Sequence, residues 1–250
     1  MRFSVPYRTA YLICIGFLVL ASGLLVLMEG GSRIFPTGIW VTTSSRRIIL
    51  DVVITLTAGG TGWLVCSFYG FGSFATQDSK KPLRSILFTA SATGAITGIL
   101  LISLDLILSN LHYRGSMPHP PPATALLSTP IASGVHELLF RLIFLGGGCA
   151  VLQKTGISVG KSSFWFLAFL SVVSAFFLFI PFHGAEYGIE NISDVPAILI
   201  FHYFLFYALT GLVCAAMFYR HGFFAAWGTH FTALFVWDVL WGQVWWRCLF

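Results

Sequence analysis

The sequence predicts an all-α protein, a polytopic transmembrane helical bundle of about seven helices. Hydrophobic residues make up 57% of the 250 residues and charged residues only 9%, whereas soluble domains contain roughly a half and a quarter. The apolar residues also fall into long blocks, and about 20 apolar residues are needed for a helix to cross the hydrocarbon layer. The composition therefore indicates an integral, multi-pass membrane protein that is surrounded by lipids.

Seven apolar blocks are predicted to cross the membrane, and a proline-rich connector divides them. The blocks lie near residues 9–28, 48–68, 85–109, 124–152, 162–182, 196–219 and 222–246. The first block is longer than the apolar region of a secretory signal and is interpreted as a retained helix. Because the prolines of "MPHPPPA" impose an extended path, the sequence predicts an N-terminal part, residues 1–123, and a core of four helices, residues 124–250.

The orientation follows from the lysines and arginines in the short loops. The side that holds the N-terminus carries Arg2, Arg8, Lys80, Lys81, Arg84, Lys154, Lys161 and Arg220, and the opposite side carries Arg33, Arg46, Arg47, Arg114 and Arg247. This bias predicts a cytoplasmic N-terminus and an external C-terminus.

Several function classes are not expected from the sequence. The net charge of +5 is spread over the loops, and no basic run is interleaved with aromatic residues, so nucleic acid is not an expected partner. The five cysteines stand singly, without the spacing of a cysteine metal site. Gly94 and Gly98 have the spacing that lets two membrane helices approach closely, and helix packing is the preferred interpretation.

Polar residues inside the apolar blocks are the functional candidates, because a charge in the bilayer is costly unless it is paired or faces a cavity. They are Asp51, Asp105, His136, Glu137, Arg141, His183, His202, His230 and Asp238. Asp51 and His202 are interpreted as structural. Glu137 and Arg141 are four residues apart, so on a helix they share a face and can neutralise each other.

His136, His183 and His230, together with Glu137, fit two kinds of chemistry. A carboxylate and an imidazole can activate water and then protonate a leaving group, while another imidazole donates to the developing oxyanion. The same three histidines and the glutamate could instead bind a divalent metal such as zinc. The sequence leaves open whether any cofactor is required.

The order of three motifs resembles the CPBP (Abi) family of intramembrane proteases, which includes CAAX prenyl endopeptidases and bacteriocin-processing proteins. Glu137 and Arg141 in "HELLFR", Phe179 and His183 in "FIPFH", and His230 in "GTHFTAL" match these motifs. The resemblance covers roughly residues 124–240, and it implies a CPBP-like core in the last four helices.

Two positions depart from the pattern of that family. Its first motif usually opens with two glutamates, and the first of them, which is assigned to activate water, is His136 here. Its last motif usually has Asn or Asp four residues after the histidine, at the position of Leu234. A histidine can act as a base near neutral pH, but a leucine cannot donate a hydrogen bond. Asp238 lies eight residues after His230, about 12 Å along a helix.

The first functional hypothesis is an intramembrane endopeptidase that acts on membrane-embedded or lipidated peptides. Glu137 or His136 would activate water with His183, His230 would stabilise the oxyanion, and Arg141 would orient Glu137. The segment limits place His183 near the outer end of its helix and His230 nearer the inner third of its own, so they are expected to be apart.

Two alternatives remain. One is a catalytically degenerate protein of the same fold, acting as a non-catalytic subunit or interaction partner of a membrane complex. The other is a proton-coupled carrier in which Asp51, Asp105, Glu137 and the histidines form a relay; the sequence lacks the repeated halves that such carriers often show.

Overall fold

The computed structural model describes residues 5–29, 83–112, 115–117, 119, 122–186 and 195–244, together with isolated positions between 53 and 64. Within these residues every regular element is a helix and none is a strand. The predicted all-α class is confirmed for this part of the chain. Helices are expected because the bilayer offers no water to backbone groups, and a helix satisfies these groups internally.

Seven α-helices are described, and two of them continue directly into π-helical segments. They are α1 Val5–Glu29, α2 Leu83–Leu108, α3 Pro122–His136, α4 Gly147–Lys154, α5 Lys161–Glu186, α6 Ala197–His221 and α7 Phe223–Leu234. The π-helical segment Glu137–Gly146 joins α3 to α4, and a second, Phe235–Trp241, extends α7.

Five helical stretches are long and apolar enough to cross a membrane. They are Arg84–Leu111, Ala125–Lys154, Lys161–Leu178, Ala197–His221 and Phe223–Val244, which correspond to the third to seventh predicted blocks. The first block is helix α1, with a described apolar stretch at Tyr11–Leu24. Most of the block at 48–68 lies outside the described residues, so the count of seven stays a prediction. Five such helices fit a multi-pass membrane protein.

Helix α2 packs closely along α7 through the two glycines of the GxxxG pattern. A Cβ atom at Gly94 would meet the carbonyl oxygen of Thr229, and one at Gly98 would lie 2.8 Å from the carbonyl oxygen of Ala233. The Thr229 hydroxyl donates to the carbonyl of Ala90 at 3.2 Å. The close packing expected from the glycine spacing is present and brings α2 against the helix that carries His230.

Helix α1 packs against α3. Leu18 lies against Gly134 of α3, and Tyr11 and Leu18 belong to the same buried cluster as Leu142 and Phe218. Helices from both predicted parts of the chain, residues 1–123 and 124–250, therefore contribute to one apolar core.

Candidate functional site

The candidate site forms where α3 passes into the first π-helical segment. His136 is the last residue of α3 and Glu137 is the first residue of the π-helical segment. A π-helical turn is wider than an α-helical turn and is frequent at functional sites. Opposite this junction lies His230 of α7, so two separate helices supply the polar groups.

Glu137 and His230 form a short hydrogen bond in the interior of the bundle. Nδ1 of His230 lies 2.8 Å from Oε1 of Glu137. Glu137 is 0% exposed and His230 is 6% exposed. An ionised carboxylate only accepts hydrogen bonds, so Nδ1 carries the proton. In the neutral ring, the other nitrogen, Nε2, is then left with a lone pair.

Arg141 is the counter-ion of Glu137 and ties three helical segments together. Its Nε lies 3.6 Å from Oε2 of Glu137, and its terminal nitrogens donate to Oγ of Ser171 in α5 at 2.8 Å and to the carbonyl of Gly211 in α6 at 3.0 Å. Ser171 in turn donates to the carbonyl of Phe140 at 3.0 Å. The expected pairing of Glu137 with Arg141 is therefore present as an ion pair, and the hydrogen bonds to Ser171 and Gly211 position the arginine.

His136 lies beside this pair and is only partly buried. Its ring centroid is 5.3 Å from that of His230, with the two rings nearly perpendicular at 85°. It also contacts the rings of Phe140 and Tyr207. One ligand atom each from His136, Glu137 and His230 lie within 4.8 Å of one another, and this is the single such group of histidine, cysteine and acidic residues in the described part of the chain. The group is compact enough to surround a water molecule or a metal ion.

His183 lies on α5, and its side chain is outside the described residues. Phe176 of the same helix contacts Tyr207, which itself contacts His136, so residue 176 marks the level of the site on α5. His183 follows seven residues later, about 10 Å farther along the axis at 1.5 Å per residue. A contribution of His183 to the site stays a prediction.

Neither Leu234 nor Asp238 supplies the missing hydrogen-bonding group. Leu234 packs against an apolar cluster that contains Leu101 and Trp237. Asp238 lies 3.4 Å from Nδ1 of His119, in a different part of the bundle from His230. Among the described residues, neither of these two positions therefore provides a hydrogen-bonding group beside His230.

Some neighbours of the site could not be found from the sequence. Cys214 of α6 is fully buried and lies beside the Glu137 carboxylate. Ser171 and Gly211 hold Arg141. Small residues in apolar helices occur at many positions, so no local pattern singles these three out.

No family model, curated protein or solved structure matches the chain. The resemblance to the CPBP family consequently stays a hypothesis that depends on the three motifs.

Proposed function

We propose that the protein is an intramembrane endopeptidase, a seven-helix membrane bundle with a CPBP-like core, that hydrolyses membrane-embedded or lipidated peptides. One observation carries the proposal: His136, Glu137 and His230 converge inside the bundle, with one ligand atom from each within 4.8 Å of the others. A site that lies among helices excludes soluble chains, so the substrate is itself in the membrane.

His230 is the proposed base. The hydrogen bond from its Nδ1 to Glu137 orients the ring and increases the basicity of the other nitrogen, as a carboxylate does for a metal-binding or catalytic histidine. Glu137 is unsuited to take the proton of water itself, because it is 0% exposed and both oxygens face protein groups, His230 and Arg141. This exchanges the roles that the family resemblance implies.

The proposed reaction is general acid–base hydrolysis. Nε2 of His230 accepts a proton from water while the water oxygen attacks the peptide carbonyl, and the tetrahedral intermediate carries the negative charge on the former carbonyl oxygen. An N–H of His136 donates to this oxyanion, in the place where a family member would use an amide. The intermediate then expels the amine, which takes the proton from His230.

The charge balance of the site favours this metal-free reaction over metal catalysis. Glu137 and Arg141 neutralise each other at 3.6 Å, so a divalent ion would add two uncompensated positive charges to a buried site. Uncompensated charge in the membrane interior is unfavourable. A chelator is therefore expected to leave the activity unchanged.

The test compares variants in proteoliposomes, with a prenylated CAAX-type peptide and a pool of membrane-protein peptides as substrates and mass spectrometry as the readout. His230→Gln and Glu137→Gln are each expected to lower the cleavage rate by about 10²-fold or more, because each removes acid–base catalysis. His221→Gln, at the end of α6, is the control. Absence of cleavage by the folded wild-type protein would overturn the proposal. Inhibition by a chelator would instead support metal catalysis at this site.

The second candidate is a non-catalytic membrane subunit of the same fold. Two observations favour it. Leu234 packs against an apolar cluster, and Glu137 is paired with both His230 and Arg141, as a carboxylate with a purely structural role would be. This candidate predicts a stable complex in mild detergent whose composition is unaffected by His136→Gln, with no cleavage by any variant.

A further inference from the structure

A second group of buried polar residues lies near the C-terminal end of α2 and belongs to no part of the proposed active site. Nε2 of His112 is 3.2 Å from Nδ1 of His202, and Nε2 of His202 is 3.4 Å from Oδ1 of Asp105. The three residues are 9%, 0% and 0% exposed, in that order. They form a linear chain, in which His202 of α6 stands between the carboxylate and the other imidazole.

Aromatic side chains separate this chain from the candidate active site. The ring centroid of His202 lies 5.4 Å from that of Phe206, and the ring centroid of Phe206 lies 4.9 Å from that of Trp237. On α6, Tyr207 contacts His136 and lies five residues after His202, about 7 Å along the axis. The two polar groups are thus distinct, and the second requires its own explanation.

A neutral imidazole has one N–H and one lone pair, so a chain of two imidazoles has a direction. With Asp105 ionised, the protons lie on Nε2 of His202 and Nε2 of His112. Nε2 of His202 contacts the carboxylate at 3.4 Å without forming a hydrogen bond, so the proton must cross this gap. With Asp105 protonated, both rings carry the proton on Nδ1 instead. The two arrangements share the same heavy-atom positions and differ only in where the protons lie.

We propose that Asp105, His202 and His112 form a proton relay, which loads a proton onto the Asp105 carboxylate from the segment that follows α2. A hydronium ion gives a proton to Nδ1 of His112, the Nε2 proton of His112 passes to Nδ1 of His202, and the Nε2 proton of His202 passes to Oδ1 of Asp105. One proton enters the chain and one carboxyl group becomes protonated, so no other reactant is needed. The bound species is the proton itself.

Three buried atoms of the chain support the relay. Nδ1 of His112, Nε2 of His202 and Oδ2 of Asp105 make no hydrogen bond to the described residues. Buried polar atoms normally have a partner, so these atoms mark where a proton or a water molecule would arrive, pass between His202 and Asp105, and leave. Burial also lowers the pKa of His112, so the neutral form of the ring, which has a lone pair for an incoming proton, is favoured.

The surrounding groups are part of the same electrostatic unit. The backbone N–H of Met117 donates to Oδ1 of Asp105 at 3.0 Å. His119 interacts electrostatically with Asp105 and lies 3.4 Å from Oδ1 of Asp238. Protonation of Asp105 therefore weakens the charge-assisted hydrogen bond that holds the backbone at Met117.

The experiment follows the infrared C=O stretching band of the protonated carboxyl group after rapid acidification of the protein in lipid nanodiscs. Asp105→Asn should abolish one band and thereby identify it. His112→Phe and His202→Phe should leave this band at equilibrium but slow its appearance by about 10²-fold, since each removes a positioned proton-transfer group. His221→Phe, at the far end of α6, should leave the rate unchanged.

An unchanged rate in folded His112→Phe would overturn the relay, because the proton would then reach Asp105 without the imidazoles. The same conclusion follows if Asp105→Asn removes no band. His112 is the less buried of the two histidines, so its variant keeps the test decisive even if His202→Phe does not fold. Peptide cleavage is not measured here, and the outcome is independent of the proposed endopeptidase activity.

Discussion

At the scale of single residues, a buried glutamate is acceptable in this bundle because each of its carboxylate oxygens faces a partner side chain. Glu137 faces His230 on one oxygen and Arg141 on the other. The pairing with Arg141 could be predicted from the four-residue spacing, which depends only on helix geometry. The pairing with His230 could not, because it depends on how α3 and α7 cross in space.

The cost of separating Glu137 from Arg141 can be measured by a double-mutant cycle. Glu137→Gln and Arg141→Met each leave one uncompensated buried charge, and each should lower the free energy of unfolding by about 3–5 kcal/mol. The double variant should lose less than the sum of the two, with a coupling of about 1–3 kcal/mol. The measurement is reversible unfolding of the purified protein in bicelles.

Lys161→Met is the control for this cycle. Lys161 is exposed at the start of α5, and loss of such a charge should change the free energy of unfolding by less than about 0.5 kcal/mol. Additive effects of Glu137→Gln and Arg141→Met would contradict the pairing, since uncoupled residues contribute independently.

At the scale of helices, the apolar blocks predicted where the elements lie but not their internal geometry. The block at 124–152 was expected to be one helix, and residues 122–154 are indeed helical. Ten of these residues, Glu137–Gly146, form a π-helical segment. Hydropathy carries no information about this widening, because it reports side-chain composition and not backbone geometry. The GxxxG pattern was more informative, because small residues allow two helices to approach each other closely.

Gly94→Ala should weaken the contact between α2 and α7. The added Cβ would meet the carbonyl oxygen of Thr229, which belongs to the helix backbone and cannot move aside as a side chain would. The expected loss of unfolding free energy is about 1–3 kcal/mol, the usual cost of overpacking. Thermal and denaturant unfolding in detergent micelles provide the measurement.

Gly23→Ala is the matched control for this prediction. Gly23 lies inside α1, and a Cβ there would have no neighbour within 4 Å. Alanine has the higher helix propensity, so this variant should be neutral or slightly more stable. A Gly94→Ala protein as stable as the Gly23→Ala protein would show that α2 and α7 are not packed closely.

At the scale of the whole molecule, the sequence predicts the membrane class well because composition is a property of the entire chain. Large apolar side chains cover the outside of the bundle, with Phe88 76% exposed and Leu20 70% exposed. Such a surface is stable in lipid and unfavourable in water. The orientation is less strongly encoded, because it depends on a modest difference in basic residues between the two sides.

The orientation predicts which side of the membrane each connecting segment occupies. Leu111 follows α2 and is 60% exposed, and Ser158 lies in the exposed turn between α4 and α5. The helical stretch Ala125–Lys154 lies between them in the chain, so they should be on opposite sides. With a cytoplasmic N-terminus, Ser158→Cys should be labelled only from the cytoplasm and Leu111→Cys only from outside.

The measurement is labelling with a membrane-impermeant maleimide, applied to intact cells and to inverted membrane vesicles, with the wild-type protein as the background. Cys149 and Cys214 are buried, so they should contribute little to that background. Labelling of both variants from the same side would contradict the membrane crossing of Ala125–Lys154. Labelling on opposite but exchanged sides would preserve the fold and reverse the orientation, because the crossing depends on apolar length whereas the orientation depends on the loop charges.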